Sequence, residues 1–497
     1  MSTAIGAALV SEGYRVRHLV PGAQLRQASA DRFEADLGNP RQVAELHAKL
    51  KGADDSLTGC VINLLGICPP FGHPGGEPEN ALRLSLWTFN LAREFENDLR
   101  DSAVAGGGYF YNVTGLGGQF GLGEDADEAA LDGAGTLGIA KTLRREAPQL
   151  TVKTIDIDLS LEPHVLSTRL LDEFAADDDL IEVGLTRKGR WKLDLVPAPV
   201  SSGNLSARID AQAVVLVTGG AFGVTADTAI GLARETGCRL VLVGRSALPG
   251  EEPSATRGLS AQEVRKRLIE QSRQSGERLT PADIEKRVAR VLKDRQIRAN
   301  YEACHKAASA VEYHSLDVRD AAALGALVDD IYARHGRLDG VVHGAGIIED
   351  KRICDKTPES FANVFRTKVD SALTLAAKLR PEGLKFLVFF SSVSGRFGNT
   401  GQVDYSAANE FLNKLADYLS RRWPTRVVAI NWGPWDGGMV TDELRRMYAT
   451  VGFDLIPIDV GVRFFLDETR NHADTSAEVV VSGSVEQMLG VAVGSGA

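Results

Sequence analysis

Four residues in the second half of the chain, Lys368, Ser392, Tyr405 and Asn409, are of types that together can reduce a ketone. Adding hydride to a carbonyl requires a proton donor on the oxygen and groups that stabilise the alkoxide as it forms. A tyrosine whose pKa is lowered by a nearby ammonium meets that need at neutral pH. Tyr405 offers the phenol, Lys368 the ammonium and Ser392 a hydroxyl for the carbonyl oxygen. Asn409 falls one helical turn beyond Tyr405 and shares its face. Each of these residues has an ordinary structural explanation when taken alone. Their order along the chain, converging on one crevice, points to catalysis.

The elements that must carry them read as buried strands alternating with helices. Val214 to Val217, Leu240 to Val243, Gly340 to His343, Phe386 to Phe390 and Arg426 to Asn431 are continuous apolar runs. Such runs, separated by helical stretches, predict a parallel sheet covered on both faces. Ser392 ends the Phe386 strand, and Tyr405 begins the helix that follows. The first strand breaks into Gly219-Gly220-Ala221-Phe222-Gly223-Val224, a glycine turn that lets backbone N–H groups approach a pyrophosphate. Arg245-Ser246 closes the second strand, where a carboxylate would bind a ribose 2′-hydroxyl; an arginine suits a 2′-phosphate, so NADPH is expected. Asp317-Val318 is expected at the adenine, and Gly344-Ala345-Gly346 at the ribose. His343 has no ligand partners clustered with it and reads as a strand-end residue.

The first two hundred residues repeat this order. Ala4 to Val20 echoes Ala229 to Val243, and Cys60 to Gly66 echoes the Gly340 strand. Gly107 to Gly121 echoes Phe386 to Gly398, and Thr142 to Asp158 echoes Ala416 to Trp432. The expected fold is α/β: two related Rossmann-like, doubly wound parallel-sheet subdomains, 1–205 and 206–497, joined near Pro199 to Gly203. The first is degenerate. It lacks an opening strand and glycine turn, which predicts a segment of a longer polypeptide, and the closing Gly-Ser-Gly-Ala fits a linker. It has no tyrosine between Tyr111 and Tyr301, and Gly115 falls where Ser392 would, so a scaffolding role is expected. The second copy carries an insertion at about 249–310. Ser260 with Glu263, and Thr280-Pro281-Ala282-Asp283, mark helix starts there. The insertion reads as a packing accessory or a partner-docking surface.

Composition removes several other classes. With 44% hydrophobic and 25% charged residues in 497, the chain can bury a large core. Sixty-six acidic against 56 basic residues, a net charge of −10, argue against a nucleic-acid binder. No apolar run approaches the roughly 20 residues of a membrane span. Cys60, Cys68, Cys238, Cys304 and Cys354 are scattered without C-x-x-C spacing, which predicts a reducing cytoplasm and no metal site. Asp55-Ser56-Leu57 lacks the helical pattern of a carrier attachment site and reads as a loop.

Phe390-Ser391-Ser392, Gln402 to Asn409 and Asn431-Trp432-Gly433-Pro434-Trp435 resemble the ketoreductase domains of type I polyketide synthases and polyunsaturated fatty acid synthases. Simple short-chain reductases carry Tyr-x-x-x-Lys. Here Asn409 takes the lysine's place and Lys368 comes from an earlier helix, as in the multienzyme ketoreductases. Thr225 departs from the family's last turn glycine. The resemblance implies that Tyr405 donates the proton, Ser392 binds the carbonyl, Lys368 lowers the tyrosine pKa and Asn409 orders a proton relay. It implies NADPH-dependent reduction of a β-ketoacyl thioester on an acyl carrier protein, beside neighbouring synthase domains. It also implies Pro434 at the cofactor, and Asp350, Phe397, Trp435 and Met439 toward the substrate. Ile347-Ile348-Glu349-Asp350 is similar to the Leu-Asp-Asp stretch of ketoreductases giving a D-3-hydroxyl, with Glu349 departing from it. The tryptophan of the opposite class is replaced by Phe397. Two alternatives stay open: a catalytically silent scaffold domain, which the intact tetrad opposes, and a free-standing carrier-protein reductase.

Overall fold

The computed structural model describes residues 1–51, 56–67, 78–123, 128–198, 209–437, 442–450, 452–470 and 476–483. The Pro199 to Gly203 junction, Asp55, Cys68, Met439 and the Gly-Ser-Gly-Ala end lie outside these residues. Among the described residues no helix is long and apolar enough to cross a membrane.

The first half begins with α1 (Ser2–Ser11), β1 (His18–Pro21), β2 (Arg26–Ser29), β3 (Arg32–Ala35), α2 (Pro40–Lys51) and β4 (Cys60–Gly66). It continues through α3 (Pro78–Ala103), β5 (Tyr109–Thr114), α4 (Ala134–Glu146), β6 (Thr151–Ile157), α5 (Pro163–Phe174), β7 (Glu182–Thr186) and β8 (Gly189–Lys192). β4 to β7 pair in parallel in chain order, and β8 returns antiparallel on β7. β1 pairs with β3 in a separate sheet and does not reach β4. Degeneracy therefore goes further than the repeat pattern implied, because the strand that would join the two pieces has no counterpart among the described residues.

The second half holds β9 (Val214–Thr218), α6 (Gly223–Thr236), β10 (Arg239–Gly244), α7 (Ala261–Ser275), α8 (Pro281–Ala307), β11 (Val311–Ser315), α9 (Ala321–His335) and β12 (Gly340–His343). After these come α10 (Pro358–Lys378), β13 (Phe386–Ser392), α11 (Val393–Phe397), α12 (Val403–Ser420), β14 (Arg426–Trp432), α13 (Asp442–Thr450), α14 (Ile458–Arg470) and β15 (Glu478–Val481). Its seven strands run in parallel in the order β11-β10-β9-β12-β13-β14-β15. The order reverses between β9 and β12, so a crevice opens at the carboxyl ends of those strands. This is the expected doubly wound sheet, extended by β15, which the apolar pattern did not mark. α7 and α8 form the inserted helices, each opened by its capping box at Ser260–Glu263 and Thr280–Asp283.

The halves meet helix to helix. α3 and α4 pack on α10 and α12, and one apolar core runs through both halves, with Phe89 stacked on Phe361 at 4.9 Å between ring centroids. Glycines permit the close approach of α4 and α12. A Cβ on Gly138 would lie 2.4 Å from the Ser406 carbonyl oxygen, the residue after Tyr405.

Candidate active site

The four candidate residues converge where β12, β13 and α12 open toward the crevice. Lys368 comes from the buried face of α10, Ser392 from the last position of β13, and Tyr405 and Asn409 from successive turns of α12. Lys368 Nζ donates to the Phe390 carbonyl at 2.8 Å and stands 5.4 Å from the centroid of the Tyr405 ring. Burial brings the Lys368 amine down to about 7. Asn409 Nδ2 donates to the Tyr405 carbonyl at 2.8 Å, while its buried Oδ1 accepts no hydrogen bond. That leaves one acceptor available for a relay.

Tyr405 departs from expectation. Burial raises its pKa, and the Asn409 and Ser392 side chains offset only part of the rise; the lysine, turned to Phe390, does not pull it down. The phenol is therefore protonated at neutral pH, the form that donates a proton.

The glycine turn precedes α6 on the other side of the crevice. Gly219 sits at φ 74°, and a Cβ there would lie 2.9 Å from the Gly344 carbonyl oxygen. A Cβ on Gly344 would come within 2.5 Å of the Thr225 side chain. The turn thus tolerates Thr225 because the facing strand end is itself glycine. Gly346 lies against Lys368, where a Cβ would fall 3.0 Å from Cε. Ala345 is buried between the two glycines, its N–H donating to Thr218 Oγ1 at 3.3 Å. Gly220, Ala221, Phe222, Gly223 and Val224 complete the loop into α6, and Asn300 of α8 donates to the Ala221 carbonyl at 3.1 Å.

Arg245 and Ser246 are exposed at the end of β10, and the Arg245 guanidinium makes no hydrogen bond among the described residues. Asp317 is engaged by Arg319 at 2.6 Å, and Val318 is buried beneath it. A shaped glycine cradle beside an uncommitted arginine fits a phosphorylated dinucleotide. His343 takes a strand-end role. Its Nδ1 lies 2.8 Å from Thr218 Oγ1 and its Nε2 2.9 Å from the Lys368 carbonyl, and burial lowers its pKa to about 3, so it is neutral.

The substrate candidates do not all gather. Asp350 is exposed at the mouth and accepts from Gln402 Nε2 at 3.1 Å. Phe397 ends α11, partly buried beside Arg396. Pro434 leaves β14, its carbonyl accepting from Ile456 N–H at 2.9 Å. Trp435 is placed in the core, 4.9 Å from Trp432 and tight against Gly461 of α14. It presents no open face to a substrate. Met439 lies outside the described residues.

Sequence reading passed over Lys356 and Asp404, which form a buried ion pair at 2.5 Å. The pair ties the loop after β12 to the first turn of α12. Burial raises Asp404 to about 6 against the pull of Lys356. An acid adjoining the catalytic tyrosine was the available signal; nothing local marked its lysine.

Residues 213–437 match the family model of the KR domain. Residues 213–437 form a KR domain. Over 428 residues the chain is 31% identical to a polyunsaturated fatty acid synthase of Thraustochytrium sp., covering 83% of this chain and 15% of that protein. The chain therefore spans under a sixth of the length of that relative. A solved ketoreductase domain from the bacillaene assembly line is 26% identical, with a TM-score of 0.61 over 82% of this chain and 86% of that one. An N-terminal ketoreductase from the macrolactin assembly line shares the fold at 18% identity, with a TM-score of 0.69 over 98% of this chain and 86% of that one. KR domains are nicotinamide-dependent reductases of the short-chain type, which implies that this one reduces a ketoacyl group.

Proposed function

We propose that this chain reduces a β-ketoacyl thioester to the 3-hydroxyacyl thioester with NADPH, inside a multienzyme synthase of the cytoplasm. The substrate arrives on an acyl carrier protein, and neighbouring synthase domains are the other partners. Residues 206–497 do the chemistry on a scaffold of 1–205. The observation that carries this reading is the convergence of Lys368, Ser392, Tyr405 and Asn409 beside the glycine turn.

The turn from Gly219 to Val224 and the α6 N-terminus would hold the pyrophosphate, and Arg245 the 2′-phosphate. Gly344, Ala345 and Gly346 leave room for the ribose. When bound, the nicotinamide supplies the hydride. Ser392 holds the carbonyl oxygen against the Tyr405 hydroxyl, and Tyr405 donates the proton. The Lys368 ammonium stabilises the phenolate that remains, and Asn409 Oδ1 receives the water that returns a proton to it. Asp350 flanks the mouth and sets the side from which the acyl-pantetheine arm enters, giving the D-3-hydroxyl.

One experiment tests the whole reading. The chain is incubated with a β-ketoacyl pantetheine thioester and either NADPH or NADH, the cofactor absorbance is followed, and the hydrolysed alcohol is resolved chirally. The expected result is NADPH-preferring turnover to the D-alcohol, lost by about 10²–10⁴-fold in Tyr405→Phe. No cofactor consumption by the unaltered chain sinks the reading. An L-alcohol removes only the role of Asp350.

A further inference from the structure

The end of α4, in the half without catalytic residues, reaches into the active-site loops of the other half. Glu146 is its last residue and is 2% exposed. Its Oε1 accepts from the Gly401 N–H at 2.8 Å and its Oε2 from the Ile353 N–H at 2.9 Å. Gly401 precedes the helix that begins with Tyr405 in its first turn, and Ile353 follows Asp350 in the loop after β12. The two loops are also joined directly, by Lys351 N–H to the Gly401 carbonyl at 2.8 Å and by Gln402 to Asp350.

One buried carboxylate therefore holds both walls of the mouth. Gly401 sits at φ 80°, in the left-handed region, so its N–H has a fixed direction that a two-oxygen acceptor can meet. The surrounding contacts act the same way. Lys141 of α4 donates to the Gly395 carbonyl at 3.3 Å, Arg145 to the Phe397 carbonyl at 3.3 Å, and Arg93 of α3 to the Lys356 carbonyl at 3.2 Å. Arg352 Nε stands 4.0 Å from Glu146. Two amides and one distant guanidinium are modest company for a buried carboxylate, which an ordinary packing position would not require.

We propose that Glu146 is a positioning residue for ketone reduction, fixing the Asp350–Gln402 mouth and the approach to Tyr405 from the non-catalytic half. This rests on the reading of the site as a ketoreductase centre. Glu146 does not touch substrate; it acts through the two loops. An amide in its place keeps the shape but turns one acceptor into a donor facing an N–H.

The test is hydrogen exchange together with kinetics, on the full chain and on Glu146→Gln. In the unaltered chain the Ile353 and Gly401 amides exchange as slowly as helix-interior amides. Fast exchange at either one overturns the proposal, whatever the variant does. In Glu146→Gln, exchange speeds up over 349–356 and 398–402 and stays unchanged in β9 and α6. The value of kcat/KM for the β-ketoacyl thioester falls about tenfold, the scale of one lost charge-assisted hydrogen bond, while NADPH affinity holds within twofold. The share of the minor alcohol enantiomer rises. Unchanged exchange in the two loops, or equal losses of NADPH binding and turnover with unchanged stereochemistry, would reject a positioning role. If the unaltered chain reduces no thioester, the exchange result still decides whether the latch exists.

Discussion

Lys368 serves the reaction and opposes folding at the same pH. Burial brings its amine to about 7, against 10.5 for a free lysine. Between those values the unfolded chain binds the extra proton, so this group makes stability rise with pH from about 7 toward 10.5. Catalysis has the opposite dependence, because the ammonium that stabilises the tyrosinate is lost as pH rises through about 7. Tyr405, its pKa raised, stays protonated across this range and adds no limb. The expected pH profile of kcat/KM for reduction falls between pH 6 and 8.5, while the urea midpoint does not fall with it. A flat or rising profile there would show that Lys368 is not the titrating partner. The four catalytic candidates were legible because each is announced locally, by a strand end or by helical spacing. The ion pair of Lys356 with Asp404 and the Glu146 latch were not, since their partners are brought together only by the packed helices.

At the level of elements, strands with unbroken apolar runs and helices with capping boxes were readable in advance. β15 was not: Glu478-Val479-Val480-Val481 is short and opens with a buried acid, whose reason is an ion pair with Lys414 at 2.9 Å. The division of the first half into two sheets was also invisible, because an absent strand leaves no residues to read. Glycine positions inside helices carried more information than their pattern disclosed. Gly138 faces backbone, with a virtual Cβ 2.4 Å from Ser406 O and 2.6 Å from Ala407 N, and backbone cannot rotate aside. Gly138→Ala is therefore expected to push α4 from α12 and to destabilise by about 1–3 kcal/mol, the usual cost of overpacking. Because Ser406 follows Tyr405, reductase turnover should drop as well. Gly250→Ala, which meets nothing within 4 Å, is the control and should leave both unchanged. Denaturant midpoints and initial rates on the two variants check this, and equal behaviour would mean that the helices separate without strain.

Across the whole molecule, the halves are joined by charge as well as by apolar packing. Lys141 of α4 lies 2.9 Å from Glu182 of β7 and 3.0 Å from Glu410 of α12, with Lys141 only 1% exposed. Arg396 of α11 pairs with Glu182, and Lys414 reaches Glu478 at 2.9 Å, so the chain of charges runs from the first sheet to the edge of the second. Burial pushes Glu182 up, but Arg396 and Lys141 more than reverse this and hold it below the usual carboxylate range. A carboxyl depressed in the folded state contributes stability that is present above its unfolded pKa, and this is lost as pH falls toward the folded value. Asp417 moves the other way: burial raises it, although Lys414 opposes, so it carries less negative charge into the network. Removing Lys141 would leave Glu182 with Arg396 alone and Glu410 with only the more distant Lys414, at 3.7 Å. Breaking one member of a buried network costs about 3–5 kcal/mol, because the remaining charges lie in low dielectric. Lys141→Met, which keeps the length and the apolar stem, should lower the unfolding free energy at pH 7 on that scale. Part of the deficit should disappear as pH falls below the unfolded carboxylate value, because protonated Glu182 and Glu410 no longer need the ammonium. Urea titrations at pH 7 and pH 4 measure both terms. A variant as stable as the parent at pH 7 would mean that the halves are held by the apolar faces of α3, α4, α10 and α12 alone.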